Sequence, residues 1–363
     1  MHLHNTIAGL MFFCLLPFRG RSQTPADTSR HPAPLDSLLP HFMRRPLYDT
    51  AYYRLYPRDV TFRIYTSRKY TRLLISEPEG TLKYRPNTPP NVGIGATYSF
   101  LTINLAAGLG FFAPTQDKGK THYLDLQTHG YFPKLSVDLF GQFYRGYYIS
   151  DHSFPGQTED YYRPDLKVAF VGAAAYYILN AKHFSLASSM SQSEWQQHSA
   201  GSLLLGWEVY YGSIRGDSAL APGMIPGDSS SRQINGVHFF EMGPGVGYAY
   251  TFVYKRHYFF TGGVTVSGAV GYNREYGMST YDRVGIVPNV TYRASTGYNG
   301  NVWSAGAYWI NNQEAASGTL AYESYKVKNG VFGVTLARRF KLTPRIRKKL
   351  DNIPQKVQNA ITP

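Results

Sequence analysis

Apolar and small polar residues alternate along most of this chain, in segment after segment. Between Lys134 and Tyr148, Leu135, Val137, Leu139, Gly141 and Phe143 fall on one side of an extended backbone, and Ser136, Asp138, Gln142 and Tyr144 fall on the other. One side suits lipid and the other a wet interior, which is the signature of a transmembrane β-barrel. The same alternation predicts strands over 60–76, 91–99, 101–112, 121–130, 134–149 and 164–179, then over 183–213, 237–254, 257–272, 287–298, 301–312 and 322–340.

The links between these segments alternate in length. Short ones fall at Tyr131–Pro133, Asn180–Lys182, Lys255–Arg256 and Asn299–Gly300; long ones fall at 77–90, 113–120, 150–163, 214–236, 273–286 and 311–321. Short periplasmic turns and long surface loops give that rhythm, and they put both chain ends in the periplasm. Two segments strain the count. Residues 183–213 far exceed the nine to eleven residues that a tilted strand needs to cross. Tyr322–Phe340 contains Asn329-Gly330, a good type I′ hairpin signal. The expectation is therefore an all-β fold, a transmembrane antiparallel β-barrel of about 12 strands with 14 as the alternative. A short N-terminal leader precedes it and a C-terminal amphipathic helix follows it.

The chain ends sharpen this picture. Ile7–Phe18 is apolar but too short to span a bilayer, and Gly20-Arg21-Ser22 supplies small residues before a cut ahead of Gln23. Residues 1–22 read as a signal peptide, 23–59 as a Pro- and Arg-rich periplasmic leader, 60–341 as the barrel and 342–363 as a basic tail. In that tail Ile346, Leu350, Ile353, Val357 and Ile361 recur every three or four residues among lysines and arginines, with Pro354 interrupting. The single cysteine, Cys14, leaves with the signal, so the mature chain has no thiol chemistry or disulfide.

Outside the signal, the longest clean apolar run is Ala169–Leu179, about half a spanning helix. The mean hydropathy of −0.31 is no objection to a barrel, because only alternate residues face lipid. The 31 tyrosines cluster near segment ends, as at Tyr147-Tyr148, Tyr161-Tyr162, Tyr176-Tyr177, Tyr254 and Tyr258, and read as interfacial girdles. The formal charge is +14, and losing Arg19 and Arg21 with the signal leaves +12. On an exported, alternating chain, the counter-charge is anionic lipid or lipopolysaccharide rather than nucleic acid. Outer-membrane lipids and the barrel-assembly machinery are the expected partners.

Several ordered motifs carry a family resemblance. They are Asp49-Thr50, Arg63-Ile64-Tyr65, Ser67-Arg68-Lys69-Tyr70-Thr71, Lys83-Tyr84-Arg85-Pro86-Asn87, Asn91-Val92-Gly93-Ile94-Gly95, Tyr123-Leu124-Asp125-Leu126-Gln127 and Gly141-Gln142-Phe143-Tyr144-Arg145-Gly146-Tyr147-Tyr148. Together they resemble the domain-of-unknown-function family numbered 4421, a Bacteroidota family predicted to form outer-membrane barrels. The resemblance implies location and architecture and brings no catalytic residue, cofactor or ligand.

Strand parity assigns to the interior Arg63, Asn104, Asp125, Gln127, His129, Asp138, Gln142, Glu208, Glu241, Arg293, Thr335 and Arg339. Acids and bases inside one barrel line a narrow solute path, or neutralise one another and close it, since small barrels fill their interiors with side chains. Asp125 and Asp138 face the same lumen from adjacent strands, either sharing a proton or cation or pairing with Arg63 or Arg339. His183-Phe184-Ser185 has the two-residue spacing of phospholipase-type outer-membrane barrels, the enzyme alternative, but it stands beside an expected periplasmic turn and lacks a following Asn. Asp117-Lys118-Gly119-Lys120-Thr121 fails as a phosphate loop because Pro114 stands where a glycine is needed. No cofactor and no metal site is expected. A narrow channel and a structural or surface-interaction barrel both remain open.

Overall fold

The computed structural model describes residues 48–351 apart from 57–58, 78–79, 99–100, 110–117, 151–158, 223–231, 319 and 321–323. The expected signal peptide, most of the leader and the tail beyond Asp351 lie outside the described residues.

The elements in chain order are β1 (Tyr53–Arg54), β2 (Asp59–Glu77), β3 (Gly80–Tyr84), β4 (Asn91–Tyr98), β5 (Leu101–Gly108), β6 (His122–Asp125), β7 (Thr128–Tyr131), β8 (Leu135–Ile149) and β9 (Tyr161–Ile178). Helix α1 (Leu186–Met190) and β10 (Trp195–Gln196) follow. Then come β11 (Ala200–Arg215), β12 (Gly236–Tyr254), β13 (Tyr258–Tyr276), β14 (Thr280–Asn299), β15 (Trp303–Ser317), β16 (Ser324–Lys341) and helix α2 (Pro344–Asp351). Every ladder is antiparallel, and the large sheet runs β5-β4-β2-β16-β15-β14-β13-β12-β11-β9-β8-β6. Strand β7 continues the course of β6 along β8, so the wall has twelve positions.

The sheet curls, but its two edges share no backbone ladder among the described residues. On one rim β3 extends β2, and Arg85 bridges to Tyr148 of β8. Toward the other rim, β4 and β5 hang from β2 while β6 and β7 hang from β8. Across the gap between the two edges, Lys69 of β2 reaches β6 and the residues after it: its Nζ lies 3.4 Å from Asp125 Oδ1 and 3.2 Å from the Gln127 carbonyl.

Alternation explains the wall. On β16, Phe332, Val334, Leu336, Arg338 and Phe340 are exposed and the residues between them are buried. That nine-residue band is about what a tilted strand needs to cross a bilayer. Arg338 sits near its end, over the rings of Trp303 and Phe340 at 5.0 Å each; in a membrane strand, an arginine placed there would cost roughly 0–1 kcal/mol. At 18 to 20 residues, β9, β12, β13, β14 and β16 run well beyond the band.

Several expectations are corrected. Asn329-Gly330 makes no hairpin. Both residues lie within β16, paired to Thr71 and Tyr70 of β2, because Asn329 serves the interior instead of a turn. The segment expected at 183–213 is neither two strands nor one: it is a turn, α1, β10 and then β11. The supposed short link at 180–182 is therefore a long connection spanning 179–199. The loops expected at 273–286 and 311–321 are largely strand, with β13 and β14 separated by Gly277–Ser279 and β15 running on to Ser317. The tail helix described is only the eight residues of α2, and a continuous helix to Ile361 is not supported.

The tyrosines also divide differently. Tyr162, Tyr177, Tyr254 and Tyr258 are exposed, whereas Tyr147 and Tyr176 are buried. Adjacent tyrosines on a regular strand point to opposite faces, as Tyr176 and Tyr177 do, whereas Tyr147 and Tyr148, just past the β8 bulge, are both buried. Many inward rings lie against glycine backbones. A Cβ on Gly172 would strike the Tyr210 ring and the Val209 carbonyl. Gly146, at φ +91°, marks the bulge where the β8–β9 register slips between Arg145 and Tyr147.

Candidate functional site

Among the described residues, the strands gather chemistry-bearing side chains in number in the interior. It is stratified. Toward the rim opposite the chain ends, Phe140, Phe170, Tyr210 and Phe239 pack with Leu73, Ile75, Tyr84, Ile149 and Ile214 into an apolar plug. Phe170 and Tyr210 stack at 5.4 Å. Above them the segment after β11 folds inward. Leu220 and Ala221 are fully buried, Tyr84 donates its hydroxyl to the Leu220 carbonyl at 2.6 Å, and Arg163 holds the Ala219 carbonyl at 2.7 Å. Asp165 receives the Asp217 amide at 2.8 Å.

Beside and beneath the plug lie polar clusters. Asp138 is bonded by Arg293 and, at 2.6 Å, by His129 Nδ1. Asp125 accepts from Tyr144 at 2.6 Å and Gln142 at 3.3 Å, and faces Lys69. Gln127 donates to Asn329 at 3.2 Å, and Asn329 in turn donates to Glu314 at 2.9 Å. Glu208 is bonded by Tyr176 and Ser267, and Glu241 by Asn289 at 2.9 Å. Among the described residues, Glu208, Glu241 and Glu314 are met by hydroxyl and amide donors rather than by cations, so their burial depends on those hydrogen bonds.

The residues singled out by parity thus occupy different levels. Asp125, Gln127 and Gln142 come together, as do His129, Asp138 and Arg293. Glu208 and Glu241 lie on neighbouring strands with separate partners. Arg63 stands lower and bonds Thr97, which is 2.8 Å from Thr102. Thr335 is buried near that end, and Asn104 lies on exposed β5, where the unpaired edge leaves both strand faces open. Arg63 and Arg339 do not pair with Asp125 or Asp138. Lys69 and Arg293 fill that place.

Arg339 belongs to a third level, at the rim of the chain ends. Its guanidinium donates to the Gln192 carbonyl at 2.7 Å and Ser304 Oγ at 2.9 Å, and lies 4.2 Å over the Tyr56 ring. It clamps the 179–199 connection, whose helix α1 is buried throughout. Asn299 donates to the Ser188 carbonyl at 2.9 Å, Trp195 donates to the Arg256 carbonyl at 2.6 Å, and β1 pairs with β10. The connection therefore fills the mouth. Beside it an open cleft of about 430 Å³ is lined by Tyr52, Gln197, His198, Ser199, Val253, Lys255 and Arg256.

His183 and Ser185 form no catalytic pair. Ser185 Oγ donates to Glu194 and caps α1 by accepting from the Ser188 amide, while His183 Nδ1 is 3.0 Å from Asn180. Among the described residues no cluster of three His, Cys, Asp or Glu side chains is arranged to hold a metal. Sequence reasoning missed Glu314, Asn289 and Lys69. Glu314 fell in a supposed loop, although Asn312, Glu314 and Ala316 continue the buried alternation of β15. Asn289 shares the parity of Arg293 and was readable from it.

The model of the Domain of unknown function (DUF4421) matches residues 47–340. The chain belongs to the DUF4421 family. No curated protein matches it. Among solved structures it is similar to the outer-membrane protease OmpT of Escherichia coli, at 11% identity and TM-score 0.39, covering 78% of this chain and 97% of that one. It is also similar to the toluene transporter TodX of P. putida, at 6% identity and TM-score 0.26, covering 79% and 91%. OmpT of Vibrio cholerae gives 10% identity and TM-score 0.27, covering 79% and 100%. These values are too low to carry an argument about activity. DUF4421 membership is consistent with the all-β wall and assigns no chemistry to it.

Proposed function

We propose that this DUF4421 protein is a closed outer-membrane barrel, a structural or surface-interaction protein rather than a solute channel. The observation that carries the reading is the filled interior. An apolar plug, hydrogen-bonded polar clusters and the clamped 179–199 connection occupy the interior, and the inturned Gly216–Ala221 segment covers the other mouth. Membrane location is supported by the nine-residue exposed apolar band and its aromatic flanks. In this reading residues 1–22 direct export, both chain ends face the periplasm, and the assembly machinery and lipopolysaccharide are its partners. The phospholipase-type alternative loses its candidate pair to structural hydrogen bonds.

Single-channel recording of the refolded protein in a planar bilayer tests this. A barrel shown to be folded by heat-modifiable gel mobility is expected to give no conductance steps. Stable steps whose ion selectivity changes in Asp138→Arg would overturn the reading and establish the channel.

A further inference from the structure

Beyond the apolar band, the outward face of β2, β3 and β16 carries five cations. Arg68 stands opposite Phe332 at the top of the band, Arg72 stands opposite Lys328, Lys326 follows two residues on, and Lys83 of β3 lies opposite Leu74. Like charges directly opposite on paired strands destabilise a sheet, because their Cβ atoms are only about 5 Å apart. Lys326, Arg72 and Lys83 all lie near enough to Lys328 to repel it. Among the described residues none of the five pairs with a carboxylate. Arg72 lies 4.9 Å over the Tyr70 ring, and Tyr70 accepts from Trp309 at 3.2 Å and Asn311 at 2.9 Å. The patch is therefore built on a fixed aromatic floor at the membrane edge.

We propose that this patch binds the phosphorylated sugar headgroup of an outer-leaflet glycolipid, lipid A in chemical class. Its position decides between lipid classes. At about 3.3 Å per residue and a tilt of about 45°, Lys328 stands roughly 9 Å and Lys326 roughly 14 Å beyond Phe332. The phospholipid headgroup zone is only about 5–8 Å deep on each side. A cation column reaching from Arg68 to Lys326 is longer than one phosphate layer and fits phosphates spread over a sugar headgroup. The inference rests on the proposed orientation, since the patch lies at the rim opposite Asp59 and Lys341.

The test is isothermal titration of the refolded barrel with bisphosphorylated lipid A and, separately, with phosphatidylglycerol. Wild type is compared with Arg72→Gln/Lys328→Gln and with Lys255→Gln/Arg256→Gln at the other rim. Lipid A binding is expected to weaken at least tenfold in the first variant, to hold in the second, and to exceed phosphatidylglycerol binding at least tenfold. Equal loss in both variants, no loss in the first, or phosphatidylglycerol bound as tightly as lipid A would overturn it. Salt dependence probes the same contacts without a variant: wild-type affinity that does not fall between 0.05 and 0.5 M salt, values chosen on either side of physiological ionic strength, refutes charge capture. Orientation is read separately on intact cells. Met278→Cys, at the exposed tip between β13 and β14, should react with an impermeant maleimide, since Cys14 is the chain's only other cysteine. Labelling only after permeabilisation would overturn the orientation, and the outer-leaflet site with it, whatever the titration shows.

Discussion

The ion pair between Asp138 and Arg293 offers a severe quantitative test of the polar clusters. Asp138 is 1% exposed and Arg293 4%, so neither charge has water to fall back on. Arg293→Met removes the guanidinium and leaves the Asp138 carboxylate with His129 alone at 2.6 Å. Breaking a buried pair from one side costs about 3–5 kcal/mol, because it strands an uncompensated charge. At about 4 kcal/mol, the folded-to-unfolded ratio falls nearly a thousandfold. Replacing both partners, as Arg293→Met with Asp138→Leu, removes the stranded charge along with its partner and should recover most of that loss. The assay is urea unfolding of the refolded barrel in micelles, followed by tryptophan fluorescence, with the denaturant slope checked for constancy. The pair has the structural role assigned to it only if the double variant is clearly more stable than the two single losses would sum to. A single-variant loss under about 1 kcal/mol, or strict additivity, would refute the reasoning.

Gly172→Val should cost about 1–3 kcal/mol by the same assay, because the Val209 carbonyl and the Tyr210 ring leave its Cβ no room. Asn329→Leu should destabilise by about 1–3 kcal/mol, since Gln127, Asn312 and Glu314 each lose a buried partner. Arg339→Gln should loosen the 179–199 connection, and limited proteolysis should cut there several-fold faster while the wall stays folded. Above the exposed apolar band, beyond Lys167, hydrogen bonding from Arg163 holds the Asp165 carboxyl down at about 2. Its ordinary value is higher, so its contribution is present above about pH 4 and is lost as pH falls through about 2. The melting-point gap between wild type and Asp165→Asn should accordingly close over that window.

The alternation along the chain determined the wall by itself. Strand parity is local: one residue's side chain points in, the next points out, and no distant contact is needed to decide it. Leu135 to Tyr144 could be sorted into faces before any neighbour was known, and so could the inward placement of Asp138, Glu208 and Arg293. Strand ends were less legible. Glu314 looks like a loop residue until β16 extends the ladder of β15 past it. The sequence also could not say which charges meet. Asp138 finds Arg293 more than 150 positions away, and Asp125 finds Lys69, because curling of the sheet brings β8 to β14 and β6 to β2 around one axis. Residues 183–199 carried an expected strand into a segment that leaves the large sheet. Only the tertiary fold decided that, through hydrogen bonds from Arg339, Asn299 and Trp195 that no local periodicity encodes.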